Sequence, residues 1–181
     1  MRLYLHADRA RLLNVGDIIK NIQYPKDQHS ICLLSPMLDV DFSDHLIRLY
    51  DNGISYHGYN YLVSAIEDKQ TFSGWACEIY FEYIRYKEFP DAPSRFQSVF
   101  GWKDLEDALI FAKGSPIYEI SNDDRHFIAD MNLLKLDFDP EEKQHNARRY
   151  WMGKPMSGSL NYKPLWEYII NTPAAVVRRL V

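Results

Sequence analysis

The residues that could do chemistry in this sequence are polar side chains set inside apolar, strand-like stretches. Ser98 places a hydroxyl between Phe96 and Phe100 in the segment RFQSVF, and an amphipathic helical pattern follows at once. His6 and Glu167 stand in similar stretches near the two ends of the chain, RLYLHAD and LWEYII. All three groups can hydrogen-bond a ligand, and the imidazole and the carboxylate can also exchange a proton with it.

Each of these residues also has an ordinary structural interpretation. Ser98 can be a half-buried strand residue that bonds to the backbone, as most buried hydroxyls do. His6 can be a polar strand residue with no ligand. Glu167 alternates with Trp166 and Tyr168, so it can lie on the solvated face of an amphipathic strand. Only the three together, in this order, favour a functional site.

Hydrophobic periodicity predicts the elements that would position these residues. The patterns favour one domain over residues 1–181, since no repeat or linker divides the chain. Strands are predicted over 2–8, 95–100, 116–121, 127–138, 165–170 and 174–181, and helices over 43–53, 59–69, 73–89, 103–114 and 140–151. Residues 8–17 favour a short helix or turn, and Ser43 or Asp44 is the expected N-cap of the first long helix. Because strands and helices do not alternate regularly, the fold class is predicted to be α+β.

Composition and charge exclude several function classes. The formal net charge of −4 gives no overall positive field that would attract nucleic acid. Cys32 and Cys77 are far apart and lack metal-type spacing, which favours a reduced, cytoplasmic protein. No stretch has the length of a membrane span, and MRLYLHADRARLL does not have the pattern of a signal peptide. The 13 tyrosines and 4 tryptophans can serve a core or line a pocket for a planar ligand.

Several well-known motifs are absent from the sequence. It has no glycine-rich phosphate loop, no G-x-S-x-G nucleophile elbow and no H-E-x-x-H pair. The acidic stretch LDFDPEE is better explained as the solvated start of a helix than as a metal site. No metal site is therefore predicted.

One resemblance covers most of the chain. FQSVF followed by LEDALIFA resembles the middle segment of ADP-ribosyltransferases, where an F-x-S-T-S strand precedes a helix of the A-x-x-F type. Ser98 matches the first serine of that triplet. LYLHADR is similar to the first strand of the histidine-type branch and supplies His6. PLWEYIINTPAAVVRRLV looks like the closing E-x-E hairpin, in which Glu167 matches the catalytic glutamate.

The resemblance implies a fold and a mechanism. The fold would be a split β-sandwich with helices and an NAD cleft between its two sheets. Nicotinamide leaves NAD as a neutral group, so the enzyme must stabilise an oxocarbenium-like ribose, and Glu167 would supply the negative charge. His6 would hydrogen-bond a ribose hydroxyl or fix the nicotinamide side. Ser98 would tie the strand that carries Glu167 to the cleft by a hydrogen bond to that carboxylate.

The resemblance also implies how NAD would be bound. Tyr86, Phe96 and Phe100 are candidates to sandwich the nicotinamide ring. Arg95 could contact the pyrophosphate or an acceptor phosphate.

Departures from the family pattern bear on the acceptor. Val99 and Phe100 replace the threonine and the second serine, and Leu165 stands where arginine-modifying members place Glu or Gln. Protein arginine is therefore disfavoured and RNA or DNA is plausible. The local basic patch to test for phosphate contacts consists of Arg148, Arg149, Lys154, Arg178 and Arg179.

We therefore expect an NAD-dependent transferase that moves ADP-ribose to a macromolecular acceptor, nucleic acid or protein. The small size of the chain fits a toxin, effector or phage-defence enzyme. Because such an enzyme consumes NAD or modifies host molecules, we expect a neutralising antitoxin or inhibitor as partner. Two alternatives stay open. One is a non-catalytic binding module with the same fold, and the other is an NAD glycohydrolase that releases nicotinamide without a modified acceptor.

Overall fold

Short strands arranged in two antiparallel sheets form the frame of the molecule. A computed structural model describes residues 1–25, 38–64, 72–124, 126–135 and 139–181. The strands are β1 (Arg2–Ala7), β2 (Ile18–Ile19), β3 (Ser98–Gly101), β4 (Ile117–Asn122), β5 (His126–Asp130), β6 (Trp166–Asn171) and β7 (Ala174–Arg179). The helices are α1 (Val40–Asp51), α2 (Tyr56–Tyr59), α3 (Phe72–Glu88), α4 (Leu105–Ala112) and α5 (Pro140–Trp151). The predicted α+β class is confirmed.

The sheet topology separates strands that are consecutive in the sequence. One sheet has the order β1-β4-β7-β2 and the other the order β3-β6-β5. β6 and β7 therefore belong to different sheets, so the closing hairpin implied by the resemblance is not formed. The chain passes from one sheet to the other between β6 and β7. The side-chain amide of Asn122 stabilises this connection, because its Nδ2 donates to the carbonyls of Asn171 (2.9 Å) and Pro173 (2.7 Å).

The molecule is built in layers. One face of the three-stranded sheet packs on the four-stranded sheet around Tyr4, Val99 and Ile170. The opposite face packs on α3 and α5 around Phe81 and Ile169. A separate apolar cluster joins α1 and α3 to the turn before β3. The three-stranded sheet is therefore the middle layer, between the other sheet and the helices.

The two sheets touch where β1 crosses the end of β3. Leu5 and Trp102 exchange backbone hydrogen bonds of 2.8 Å in each direction. Gly101 permits this approach, because a Cβ at that position would lie 2.8 Å from Tyr4 Cβ. Towards Ala7 the strands diverge, and the space between them opens.

Helix ends follow the capping chemistry of the sequence. Asp104 caps α4 by accepting from the amides of Glu106 and Asp107, and Lys113 ends it in the left-handed conformation. The expected N-cap of α1 at Ser43 or Asp44 is wrong. The helix begins at Val40, because Asp39 accepts from the amide of Asp41. Of the helices described, none combines the length and the apolar character needed to cross a bilayer.

Three predicted elements differ from the structure, whereas residues 8–17 form turns, which was one of the two states predicted for them. Arg95–Gln97 forms a 3-10 turn, so the strand is only Ser98–Gly101. The strand predicted over 127–138 ends at Asp130 before another 3-10 turn, and residues 136–138 lie outside the described part. In the helix predicted over 59–69, Asn60–Ser64 is a π turn and residues 65–69 lie outside the described part.

Gly58 lets α2 lie directly against the turn that precedes β3. A Cβ at this position would lie 2.3 Å from the carbonyl oxygen of Phe96. We expect Gly58→Ala to lower the free energy of unfolding by about 1–3 kcal/mol, because the backbone must separate. Gly158→Ala is the matched control, since its Cβ would meet nothing within 4 Å. Denaturant unfolding of the two variants checks this, and equal stabilities would contradict it.

Candidate functional site

A cavity of about 700 Å³ opens where β1 and β3 diverge. Its wall comes from residues 6–10, from parts of 55–61 and from 98–100, with apolar contacts from Leu13, Ile19 and Phe111. The volume lies within the range of small-molecule and cofactor sites. Two sheets and α2 thus converge on one hollow, which brings together His6, Ser98 and Phe100 of the predicted site.

His6 presents a defined tautomer at the cavity wall. Its Nδ1 lies 2.7 Å from the carbonyl oxygen of Phe100. A carbonyl only accepts, so Nδ1 carries the proton. Burial lowers the pKa of His6, outweighing the Phe100 carbonyl and the Asp8 carboxylate, which raise it. The ring is therefore neutral near pH 7, and Nε2 is a hydrogen-bond acceptor.

Aromatic rings form a further part of the cavity wall. The His57 ring lies 4.7 Å from the ring of Phe100 and 4.7 Å from that of Tyr61. His57 Nε2 is 3.3 Å from Glu78 Oε1 but is too poorly aligned to form a hydrogen bond. These rings offer planar apolar surface beside a polar edge, which suits a flat ring carrying hydrogen-bonding groups.

Ser98 has a structural partner. Its hydroxyl is buried and donates to the backbone carbonyl of Ser94 at 2.7 Å. This bond closes the 3-10 turn that precedes β3. Ser98 therefore lines the cavity, but the predicted hydrogen bond to the Glu167 carboxylate is not formed.

Glu167 lies behind the cavity wall and is 2 % exposed. Its Oε1 accepts from Arg95 Nη1 and from the Tyr150 hydroxyl, both at 2.6 Å. On β6 it opposes Ala129 of β5, on the sheet face that packs against the helices. The carboxylate that we expected at the ribose is thus held in a buried ion pair and does not line the cavity.

Arg95 is the centre of this buried charge cluster. Its Nε and Nη2 donate to the two carboxylate oxygens of Glu78 at 2.7 and 3.0 Å, and its Nη1 also donates to Tyr150. The guanidinium carbon lies 4.4 Å from the ring centre of Phe100. We had expected Arg95 to contact a phosphate. The structure instead buries its side chain and uses four of its five N–H donors within the cluster.

The cluster fixes the charge of Glu78. Burial alone would raise the pKa of Glu78, but the charge of Arg95 and the nearby His57 hold it well below its usual range. Likewise, Glu167 and Glu78 raise the pKa of Arg95 well above its ordinary value although burial opposes this. Two carboxylates therefore share one guanidinium beneath Phe100.

Two of the aromatic residues that were predicted to contact the nicotinamide ring lie outside the cavity. Phe96 is fully buried among the apolar residues of α1 and α3, because the 3-10 turn rotates it away from Ser98 and Phe100. Tyr86 stacks on His45 at 4.2 Å, in the layer of α1 and α3. Neither lines the cavity.

The five basic residues of the predicted patch lie on α5, in the loop that follows it and on β7, and two of them form ion pairs. On α5, Arg148 forms an ion pair of 2.7 Å with Glu88. On β7, Arg178 pairs with Glu119 at 2.8 Å. The guanidinium of Arg149 is bonded to the carbonyl of Pro155.

Sequence reasoning missed three cavity residues, His57, Tyr61 and Arg9. The segment SYHGYNY contained a signal, because it combines three aromatic rings and a histidine around one glycine. Arg9 is exposed, and its guanidinium carbon lies 5.3 Å from the Phe111 ring centre. In the described part of the chain, no group of three His, Cys, Asp or Glu side chains could hold a metal ion.

The buried cluster can be tested by truncating its cation. We expect Arg95→Met to lower the free energy of unfolding by about 3–5 kcal/mol, because two buried carboxylates lose their partner. Arg148→Met removes a more exposed pair and should leave stability nearly unchanged. Urea unfolding of the two variants measures both changes. Similar losses of unfolding free energy would show that burial of the cluster does not determine its contribution to stability.

Comparison with known proteins places the whole chain in one family. No curated protein matches the chain. The family model described as "Protein of unknown function (DUF2441)" matches residues 4–180. Because this match extends over nearly all 181 residues, the protein belongs to the DUF2441 family.

Proposed function

We propose that the cavity binds NAD and that the protein is an ADP-ribosyltransferase acting on a macromolecular acceptor. The observation that carries this proposal is the convergence of His6 on β1 with Ser98 and Phe100 on β3. These residues come from different sheets and meet at the point where the sheets diverge. A split pair of antiparallel sheets with a cleft at the fork is the arrangement that the resemblance implies.

His6 suits the ribose in this proposal. A neutral imidazole with its Nδ1 proton donated to Phe100 O has only Nε2 left, and Nε2 accepts. Ribose hydroxyls are donors, so one of them can complete this bond. A protonated histidine would instead repel the positive charge that develops on the ribose during bond cleavage.

Aromatic walls suit the nicotinamide ring. NAD carries a cationic pyridinium, and aromatic faces attract a cation placed over them. Phe100, His57 and Tyr61 form a continuous set of ring contacts along one side of the cavity. In this proposal Phe100 keeps its predicted contact, and Tyr61 takes the place that we expected for Tyr86.

Arg9 replaces Arg95 as the residue for the pyrophosphate. It lies on the cavity wall and is exposed, and it forms no ion pair in the described part of the chain. A free guanidinium can bind phosphate oxygens with two parallel hydrogen bonds. Asp8, the acidic residue of this wall, is occupied, because its oxygens accept from the amides of Leu12 and Leu13.

The negative charge for the oxocarbenium-like state would come from behind the wall. Glu167 and Glu78 lie together around Arg95, which stacks on the cavity residue Phe100. In a buried site of low dielectric, such charges act over longer distances than in water. In this proposal Glu167 therefore acts on the developing positive charge from a distance, through the buried cluster, and not by the predicted contact with the ribose.

The same position of Glu167 favours a second candidate function. A carboxylate that is paired with Arg95 and Tyr150 cannot touch the ribose in this arrangement. The cavity could then hold NAD without turnover, as in a non-catalytic binding module. Binding and turnover therefore have to be measured separately.

The test is nicotinamide release from NAD by the purified protein, together with NAD binding by calorimetry. We expect Glu167→Gln to lower the turnover rate by about 100-fold or more while NAD affinity changes little. His6→Ala should weaken NAD binding by about 10-fold through the lost ribose bond. Glu106→Gln, at an exposed carboxylate of α4, is the control and should keep both properties.

The outcomes separate the candidate functions. Label from NAD on RNA, DNA or protein indicates the transferase, and nicotinamide release with free ADP-ribose alone indicates a glycohydrolase. Binding without release indicates the binding module. If wild-type protein neither binds nor cleaves NAD, the proposal is wrong.

A further inference from the structure

A second group of basic and aromatic side chains lies at the other end of β1. We propose that the basic cluster formed by Arg2, Lys103 and His126, with Tyr4 and Tyr168, binds single-stranded nucleic acid. These residues come from β1, β5, β6 and the turn after β3, and they meet at one end of the two sheets.

The cations are arranged around two tyrosine rings. Lys103 Nζ lies 4.1 Å from the ring centre of Tyr4 and 5.9 Å from that of Tyr168, and it donates to the carbonyl of Leu3. Arg2 Nη1 lies 3.5 Å from His126 Nδ1. The Tyr168 ring is half-buried and contacts the rings of Tyr4 and His126.

His126 has a donor left for an anion. Its Nδ1 faces Arg2, which can only donate, and the Tyr4 hydroxyl at 2.8 Å. Nδ1 therefore accepts, and the proton of the neutral ring is on Nε2. This tautomer gives the cluster a third hydrogen-bond donor beside Arg2 and Lys103.

The positive charge of the cluster is not neutralised. Arg2 and Lys103 form no ion pair with a carboxylate among the described residues, whereas Arg148 and Arg178 each do. The neighbouring Asp123 carboxylate is used by the amino terminus at 2.8 Å. Burial and the charge of Arg2 lower the pKa of Lys103, as expected for cations held together without a counter-ion. An anionic ligand would relieve this repulsion.

Phosphates joined to exposed bases match both parts of the cluster. The cations can contact the backbone phosphates, and the partly exposed Tyr168 ring can stack on a base. In a duplex the bases are paired and stacked and cannot reach such a ring. An acidic peptide would use the cations but would leave the aromatic surface without a partner.

The cluster lies close to the cavity along one strand. Arg2, Tyr4 and His6 are every second residue of β1, so their side chains lie on the same face of the strand. Arg2 and His6 are therefore about 13 Å apart along the strand. A nucleic acid held here could present a nucleotide to bound NAD. That role as acceptor site rests on the proposed function, whereas the binding itself does not.

The test is fluorescence anisotropy with a labelled single strand of about 12 nucleotides, as RNA and as DNA. We expect the double variant Arg2→Gln/Lys103→Gln to weaken binding by about 10-fold or more. The control Arg148→Gln/Arg178→Gln removes the same charge from paired sites and should change binding by less than about 2-fold. Tyr168→Leu should weaken binding by about 10-fold, and Tyr168→Phe should retain it.

Several outcomes would overturn the inference. These are no binding at low salt, equal losses for the two charge pairs, or equally tight binding of polyglutamate. Equal affinities of the Leu and Phe variants at position 168 would also contradict it. Raising the salt from about 50 to 200 mM should weaken binding by about 10-fold, and a salt-independent affinity would exclude phosphate contacts. In the absence of nucleic acid, nicotinamide release by the Arg2→Gln/Lys103→Gln variant should equal that of wild type, because neither residue lines the cavity. Failure of this inference is therefore distinguishable from failure of the proposed function.

Discussion

A single buried guanidinium holds together the elements around the candidate site. Arg95 binds Glu78 of α3 and Glu167 of β6, and it also donates to Tyr150 of α5. Removing an ion from water costs several kcal/mol, and only close, well-aligned partners offset this cost. Because those partners come from three separate elements, their positions depend on one another. The ring of Phe100 lies against this cation, so the cavity wall depends on the cluster too.

The cluster also explains how a cavity and a set of charges are combined in a small domain. Phe100 separates the two, with the cavity on one side and Arg95 on the other. The separation keeps Glu78 and Glu167 away from water, and charges in a medium of low dielectric exert stronger fields than hydrated charges. It also keeps Glu167 from direct contact with a ligand. In the proposed function, turnover of bound NAD therefore depends on the strength of this field at the cavity.

Strand patterning predicted the path of the backbone better than the partners of the polar side chains. Alternation placed His6 on β1 and Glu167 on β6, because period-two burial is a local property. It could not predict that Arg95 would be buried, since an arginine is buried only when distant residues pair with it. The 3-10 turn before Ser98 was missed although its contacts are local, because the alternation of RFQSVF favours a strand while the Ser94 side chain and carbonyl hold a turn. His57 was missed because α2 lies beside β3 only in the folded chain.

The most direct test of the central claim is a crystal structure with a non-hydrolysable NAD analogue. The account predicts that the nicotinamide lies against the Phe100 ring, with a ribose hydroxyl donating to His6 Nε2 and the pyrophosphate at Arg9. Arg95 should stay paired with Glu78. An analogue bound elsewhere on the surface, or a cavity that stays empty at saturating concentrations, would contradict the account.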